Sequence, residues 1–99
     1  MKAKTADSDL LKKIRAHVQR GTYILAKHAI KRQEERRIRL PDVLRVLEHG
    51  RHEQEKDVFD VKRQTWKHAI RGKTINGVNL RVIVALKNEM VVITVINVD

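Results

Sequence analysis

Several residue types are scarce in this sequence or missing from it. It contains no cysteine, a single proline, and one residue each of tryptophan, tyrosine and phenylalanine. The lack of cysteine excludes disulfide bonds and thiolate chemistry, and three aromatic residues are too few for the stacking platforms of general single-strand-binding proteins. The chain also lacks an apolar run near the ~20 residues of a membrane span, and its beginning, MKAKTADSD, lacks the apolar stretch of a signal peptide. We therefore expect a cytoplasmic protein.

Positive charge is what the sequence has in excess. Lysine and arginine total 22 against 12 aspartates and glutamates, which gives a formal net charge of +10. A field of this sign attracts polyanions and acidic proteins, so nucleic acid is the expected partner. The length of 99 residues, with 41% hydrophobic residues, fits one folded domain that spans residues 1–99.

The first half of the sequence predicts three helices. Apolar residues recur at helical spacing in residues 8–20. A second helix of about ten residues begins near Leu25, and Pro41 suits the first turn of a third helix that ends at Gly50. Residues 51–65 fit a strand, a loop or a helical turn, and their state stays open.

From Trp66 onward, β-branched residues dominate the sequence. The segments WKHAIRGKTI, VNLRVIVAL and MVVITVINV are separated by turn-forming residues and predict three antiparallel strands. Together with the helical half, they predict an α+β fold. In this fold two to three N-terminal helices pack on one face of a three- to four-stranded antiparallel sheet.

The register of the first hairpin decides which side chains share a face of the sheet. A three-residue loop with Gly77 in the left-handed conformation places Trp66 on an apolar face, where a lone large aromatic residue packs in the core. The opposite face then carries four basic residues that we expect to bind nucleic acid: Lys67, Arg71, Lys73 and Arg81. If Met90 lies opposite Leu86, aliphatic residues join this basic face as an exposed patch for a protein partner: Ile83, Ile93 and Val95.

The stretch KHAIKRQEERR, residues 27–37, holds the residue types best suited to catalysis. Four of them recur at i, i+4, i+7 and i+8 and so share one side of a helix: His28, Arg32, Glu35 and Arg36. An imidazole can transfer a proton near neutrality and guanidinium groups bind phosphate oxygens, which are the roles that metal-free RNA cleavage requires. The alternative is an exposed helix stabilised by ion pairs between Glu35 and Lys31 or Arg39.

A second group of titratable residues surrounds His49-x-x-His52, with Glu48 and Glu53 beside it. The histidine pair straddles Gly50 at a predicted helix end, so we expect solvated side chains there instead of a metal site. The sequence gives no reason to expect a cofactor.

The element His28-Ala29-x-x-Arg32-x-x-Glu35-Arg36 is followed by an amphipathic helix and a Trp-x-x-Ala-Ile-x-Gly-Lys-Thr strand. This combination resembles a family of small bacterial proteins that is similar to the RelE/ParE-like and BrnT-like toxins. The resemblance covers residues 25–98. It implies the RelE-like toxin fold, ribonuclease action on messenger RNA, and inactivation by a cognate antitoxin protein.

We therefore hypothesise that the protein is the toxin component of a type II toxin–antitoxin system and a metal-independent endoribonuclease that acts on messenger RNA. His28 would transfer the proton, Arg32 and Arg36 would hold the phosphate, and Glu35 would assist or orient them. The basic face of the sheet would bind the RNA backbone, and the aliphatic patch would bind the antitoxin. Two alternatives stay open: a noncatalytic basic module that binds nucleic acid or protein, and a gyrase-directed, ParE-like toxin.

Overall fold

The computed structural model describes residues 7–98. The helices of this part of the chain are α1 (Asp7–Arg20), α2 (Lys27–Arg36) and α3 (Leu40–His49), with one turn of 3-10 helix at Gln54–Lys56. The strands are β1 (Tyr23–Leu25), β2 (Arg51–His52), β3 (Val58–Asp60), β4 (Thr65–Lys73), β5 (Asn79–Leu86) and β6 (Met90–Asn97). None of these helices has the length and apolar character needed to cross a membrane.

The helices begin and end close to the positions that the sequence predicts. Gly21 follows α1 with a φ of 71°, the left-handed conformation that glycine tolerates at a helix end. Pro41 lies in the first turn of α3, and Asp42 accepts a hydrogen bond from the backbone N–H of Arg39 at 3.1 Å. This hydrogen bond gives a partner to a backbone N–H group at the start of α3.

The strands form one mixed sheet with the order β1-β6-β5-β4-β2, in which β3 also pairs with β4. β1 runs parallel to β6, and the other neighbours are antiparallel. The α+β class is confirmed, but the sheet has six strands in the described part instead of three or four and is not purely antiparallel. The additional strands β1, β2 and β3 are only two or three residues long, too short for an alternating pattern to mark them in the sequence.

The hairpin of β4 and β5 has the predicted register. Arg71 lies opposite Arg81, and residues 75–77 form the loop between the strands. Gly77 has a φ of 83°, which a residue with a side chain rarely adopts. The separation of an apolar face from a basic face is therefore confirmed for these two strands.

A bulge in the pairing of β5 and β6 changes which side chains of β6 face the core. The pairing shifts by one residue between Ile83 and Val84, which leaves Ile93 out of the ladder. One extra residue inverts the facing of every side chain beyond it. Val95 is consequently fully buried in the core, and its assignment to an exposed partner patch is wrong. The sequence conceals this shift because β6 is apolar on both of its faces.

The helices α1, α2 and α3 all lie on the apolar face of the sheet. α1 packs on α3, α3 packs on β4 and β5, and α2 packs on β6. Burial of each aliphatic side chain stabilises the fold by about 1.5–3 kcal/mol. The fully buried large side chains are Leu10, Ile14, Val43, Val46, Leu47, Ile70, Leu80, Val82, Val84, Met90, Val92 and Val95. None of these three α-helices covers the opposite, basic face, which we call the open face.

Two glycines allow the end of α3 to approach β4 closely. A Cβ atom on Gly50 would clash with the carbonyl oxygen of Val46 and lie 2.6 Å from that of Arg71. A Cβ atom on Gly72 would lie 3.2 Å from the Cα atom of Gly50. No side chain fits between these backbones, so the glycines set how near α3 and β2 lie to β4.

We expect Gly50→Ala to lower the free energy of unfolding by about 3 kcal/mol, because the added methyl group meets backbone atoms that cannot rotate away. Chemical denaturation followed by tryptophan fluorescence measures this change. Gln19→Ala, at an exposed position of α1, is the control and should change the value by less than about 0.5 kcal/mol. An unchanged denaturation midpoint for Gly50→Ala would contradict the close approach.

Candidate nucleic-acid interface

The predicted motif on α2 forms a short chain of contacts on the helix surface. The Nε of Arg32 lies 3.4 Å from Nε2 of His28, and its Nη1 donates to Oε1 of Glu35 at 2.9 Å. Arg36 is exposed and makes no side-chain hydrogen bond or ion pair with any residue of 7–98. The structure thus brings three of the four motif residues together. The ion pair of Arg32 and Glu35 is about 40% exposed, the kind that adds little to stability.

The α2 motif and the basic residues of the sheet do not form one site. α2 packs on the apolar face through the buried side chain of Ala29. Arg71 and Arg81 alternate along their strands with the core residues Ile70 and Val82, so they project from the open face. The prediction that the helix motif faces the cationic sheet surface is therefore wrong.

The other predicted sheet residues are spread along the sheet. Lys67 lies near the start of β4 and forms an ion pair with Asp60 at 3.5 Å, whereas Lys73 is exposed at the end of this strand. Ile83 and Ile93 are partly buried. With Val95 in the core, the predicted partner patch is reduced to these two residues.

Three arginines form a row across neighbouring strands. Arg51 of β2 lies opposite Arg71 of β4, which lies opposite Arg81 of β5. Like charges directly opposite each other destabilise a sheet. The row therefore needs either a compensating anion or a ligand. The sequence does not predict Arg51 as a binding residue, because β2 is only two residues long and no local pattern indicates its pairing.

The carboxylate of Glu53 compensates part of this charge. Oε1 accepts a hydrogen bond from Nε of Arg81 at 2.6 Å, Oε2 accepts one from Nη1 of Arg71 at 3.2 Å, and Arg51 lies 3.9 Å away. The Glu53 side chain is 4% exposed. The hydrogen bond from Arg81 lowers the pKa of Glu53, with that from Arg71 adding to it and burial opposing it. Glu53 is ionised at neutral pH, and one negative charge faces three positive ones.

A cleft of about 300 Å³ lies beside this row. We call it the cationic cleft, and it is lined by His49, Gly50, Arg51, Arg71, Gly72, Lys73 and Asn79. The two glycines that bring α3 onto β4 contribute backbone to this lining. The Nε of Arg71 is buried and has no hydrogen-bond partner among residues 7–98, which costs stability. Packing alone therefore does not explain why an arginine occupies this position.

The cationic cleft combines the side chains that phosphodiester chemistry uses. Arg51, Arg71 and Lys73 can hold phosphate oxygens by charge-assisted hydrogen bonds. His49, exposed at the end of α3, supplies an imidazole, the side chain that most often serves in general acid–base catalysis. The sequence predicts only a solvated side chain for His49, because its neighbours in this cleft come from β2, β4 and β5.

A second polar cluster joins β2, the segment before β3, and β4. Oδ2 of Asp57 lies 2.7 Å from Nε2 of His52 and 2.9 Å from Nδ1 of His68, and Oδ1 accepts the backbone N–H of Ala69 at 2.9 Å. Burial alone would raise the pKa of Asp57, but the hydrogen bonds from Ala69 and the two imidazoles together lower it. The expectation that His52 is solvated is wrong, since its side chain is 1% exposed.

The same three side chains are of types that bind metal ions, and their candidate ligand atoms lie within 4.8 Å of one another. Asp57 already accepts hydrogen bonds from three N–H donors. A metal ion would have to replace the hydrogen bonds of both imidazoles. Both oxygens of Asp57 therefore already have hydrogen-bond partners.

Comparison with known proteins identifies one family. A family model described as a domain of unknown function, DUF4258, matches residues 25–97. No curated protein and no solved structure gives a significant match to this chain.

The lowered pKa of Glu53 has a consequence for stability. A carboxylate whose pKa is lower in the folded state stabilises the fold above its ordinary pKa, and this contribution is lost as the pH falls through the folded pKa. We expect Glu53→Gln to lower the free energy of unfolding at neutral pH by about 3 kcal/mol. The difference from the unchanged protein should shrink as the pH falls below about 4.

Urea denaturation at a series of pH values measures this difference. Glu34→Gln, on the exposed surface of α2, is the matched control and should follow the unchanged protein at every pH. A stability difference for Glu53→Gln that stays constant from neutral to acidic pH would contradict the assigned role of the carboxylate.

Proposed function

The chain belongs to the DUF4258 family of domains of unknown function, and we propose that it is an RNA-directed toxin that binds messenger RNA in the cationic cleft and cleaves it without a metal ion. The observation that carries this proposal is the convergence of Arg51, Arg71, Lys73 and His49 on one cleft. The resemblance of the α2 motif to toxins supports a cognate antitoxin as the inhibiting partner.

The charge balance of the cleft favours a polyanion. Glu53 offsets only part of the arginine row, and no acidic residue of the described chain lines the cleft itself. The surrounding chain carries a net charge of +10, which raises the local concentration of nucleic acid and speeds its association. A single phosphodiester in the cleft would be within reach of several cationic donors at once.

The cleavage step requires a base, an acid and stabilisation of charge on phosphorus. His49 accepts the proton of the 2′-hydroxyl, the 2′-oxygen attacks phosphorus, and the bond from phosphorus to the 5′-oxygen breaks. The leaving oxygen takes a proton from water, which gives a 2′,3′-cyclic phosphate and a 5′-hydroxyl. Arg51, Arg71 and Lys73 hold the phosphate oxygens while negative charge develops.

Glu53 has a positioning role in this scheme. Its lowered pKa makes it a weak base, and its two oxygens accept hydrogen bonds from Arg71 and Arg81. These contacts fix the direction in which both guanidinium groups point. Charged groups held before the reaction stabilise developing charge without the cost of reorganising them.

RNA binding should depend on exposed cations of the cleft and on salt. We expect Lys73→Ala and Arg51→Ala each to weaken binding of single-stranded RNA and to reduce the slope of log affinity against log salt by about 0.7, the share of one phosphate contact. Fluorescence anisotropy at several salt concentrations measures both values. Arg20→Ala, which removes the same charge from an exposed position of α1, should leave the slope unchanged. Equal effects from all three variants would indicate binding by net charge alone.

Cleavage should depend on one histidine. In buffer that contains a chelator, we expect His49→Ala to reduce the rate of RNA cleavage by about 10²–10³, because general acid–base catalysis contributes this much. His28→Ala, also at an exposed histidine, should retain cleavage, and gel analysis of labelled RNA measures both. The reverse result would place proton transfer on α2. Salt-dependent binding without turnover would identify a noncatalytic module.

A further inference from the structure

A second cleft, of about 390 Å³, lies near the start of β4, whereas the cationic cleft lies near the end of this strand. Its volume falls within the range of small-molecule sites. We call it the Trp66 cleft, and it is lined by Lys13, His17, Phe59, Gln64, Thr65, Trp66, His68, Leu86 and Lys87. The proposed RNA cleavage uses none of these residues.

Two aromatic rings form one wall of the Trp66 cleft. Trp66 and Phe59 are in an edge-to-face arrangement, with ring centroids 5.4 Å apart and an interplanar angle of 67°. Both side chains are only partly buried, and neither belongs to the hydrophobic core. The prediction that Trp66 packs in the core is therefore wrong. A partly exposed aromatic ring beside a polar cleft suits a flat ligand, because every nucleobase can stack on it.

The two lysines of the Trp66 cleft have no acidic partner in the part of the chain that the structure describes. Lys13 and Lys87 are exposed, and neither forms an ion pair with a residue of 7–98. Among the described residues, no aspartate or glutamate lines this cleft. An anionic group that enters the cleft would meet the ammonium groups of Lys13 and Lys87.

His68 adds a fixed hydrogen-bonding group. Its Nδ1 lies 2.9 Å from the buried carboxylate of Asp57, which orients the imidazole. Nε2 makes no hydrogen bond to any side chain or backbone group between residues 7 and 98. It is the nitrogen left to contact a ligand.

We infer that the Trp66 cleft binds a nucleoside monophosphate unit. The base stacks on Trp66 with Phe59 against its edge, the phosphate lies between Lys13 and Lys87, and Nε2 of His68 hydrogen-bonds the sugar or the base. The unit is either a free nucleotide or one nucleotide of an RNA chain, since both offer the same chemistry. This inference is independent of the proposed cleavage, because it rests on different residues at a different place in the fold.

Trp66 is the only tryptophan in the chain, so its fluorescence reports directly on this cleft. Titration of the full-length protein with adenosine 5′-monophosphate should give a saturable change. Ribose 5-phosphate, which lacks the base, should bind about tenfold more weakly, because stacking of one base contributes on the order of tenfold or more in affinity. A short oligoadenylate is the parallel ligand, and saturation by it alone would identify the RNA chain as the source.

Lys13→Ala should weaken binding of adenosine 5′-monophosphate about tenfold, the loss that removal of one charge-assisted contact causes. Lys12→Ala removes the same charge from the neighbouring exposed position of α1, outside the cleft, and should bind as the unchanged protein does. Isothermal titration calorimetry on the same samples detects binding that leaves the fluorescence unaltered.

Three results would overturn the inference. The first is the lack of any saturable signal by both methods from the mononucleotide and the oligonucleotide, with a folded protein. The second is equal affinity for ribose 5-phosphate, which would remove the aromatic wall from recognition. The third is equal weakening by Lys12→Ala and Lys13→Ala, which would reduce the effect to net charge. None of these results depends on whether the protein cleaves RNA.

Discussion

The open face of the sheet depends on the two hydrogen bonds that the buried carboxylate of Glu53 accepts from Arg71 and Arg81. Without this carboxylate, three guanidinium groups would lie side by side across β2, β4 and β5 with no anion between them. Burial of such a network has a desolvation cost that often equals or exceeds its attraction, so apolar residues would serve stability equally well. The network fixes the direction in which the guanidinium groups point, and it leaves a surplus of positive charge. Both properties suit a site that receives phosphate groups.

A steric constraint complements this electrostatic one. Gly50 and Gly72 bring the end of α3 and the start of β2 against β4 at a distance that no side chain could occupy. Because of that approach, His49 and Arg51 line the same cleft as Arg71 and Lys73. Gly50 and Gly72 thus determine which residues line the cleft, and the side chains of those residues determine its chemistry.

The sequence predicts the parts of the fold that repeat a pattern over many residues. The helical spacing of Leu10 and Ile14 and the β-branched strands beyond Trp66 mark α1 and β4 to β6, and Gly77 sets the hairpin register. Alternation cannot reveal a bulge in a strand that is apolar on both faces, which is why the predicted facing of Val95 is wrong. The same limit applies to the candidate site. Its arginines lie on three strands, one of which is only two residues long. The pairing of these strands brings the arginines to Glu53, and no local sequence pattern predicts that pairing.

The segment whose state the sequence left open, residues 51–65, carries the two carboxylates that organise the clefts. Glu53 lies behind the arginines of the cationic cleft, and Asp57 lies behind the imidazole of the Trp66 cleft. Both are fixed to one residue of β4: the backbone N–H of Glu53 donates to the carbonyl of Ala69 at 2.8 Å, and the N–H of Ala69 donates to Asp57 at 2.9 Å.

Ala69 is fully buried, so this anchor is held within packed structure. A buried anion behind a ligand-facing cation or imidazole fixes the orientation of that group and keeps the anion away from an incoming phosphate. The two clefts use the same arrangement at opposite ends of one strand. A displacement of β4 at Ala69 would therefore alter the orientation of Arg71 and of His68 together, which links the geometry of the two sites through a single backbone position.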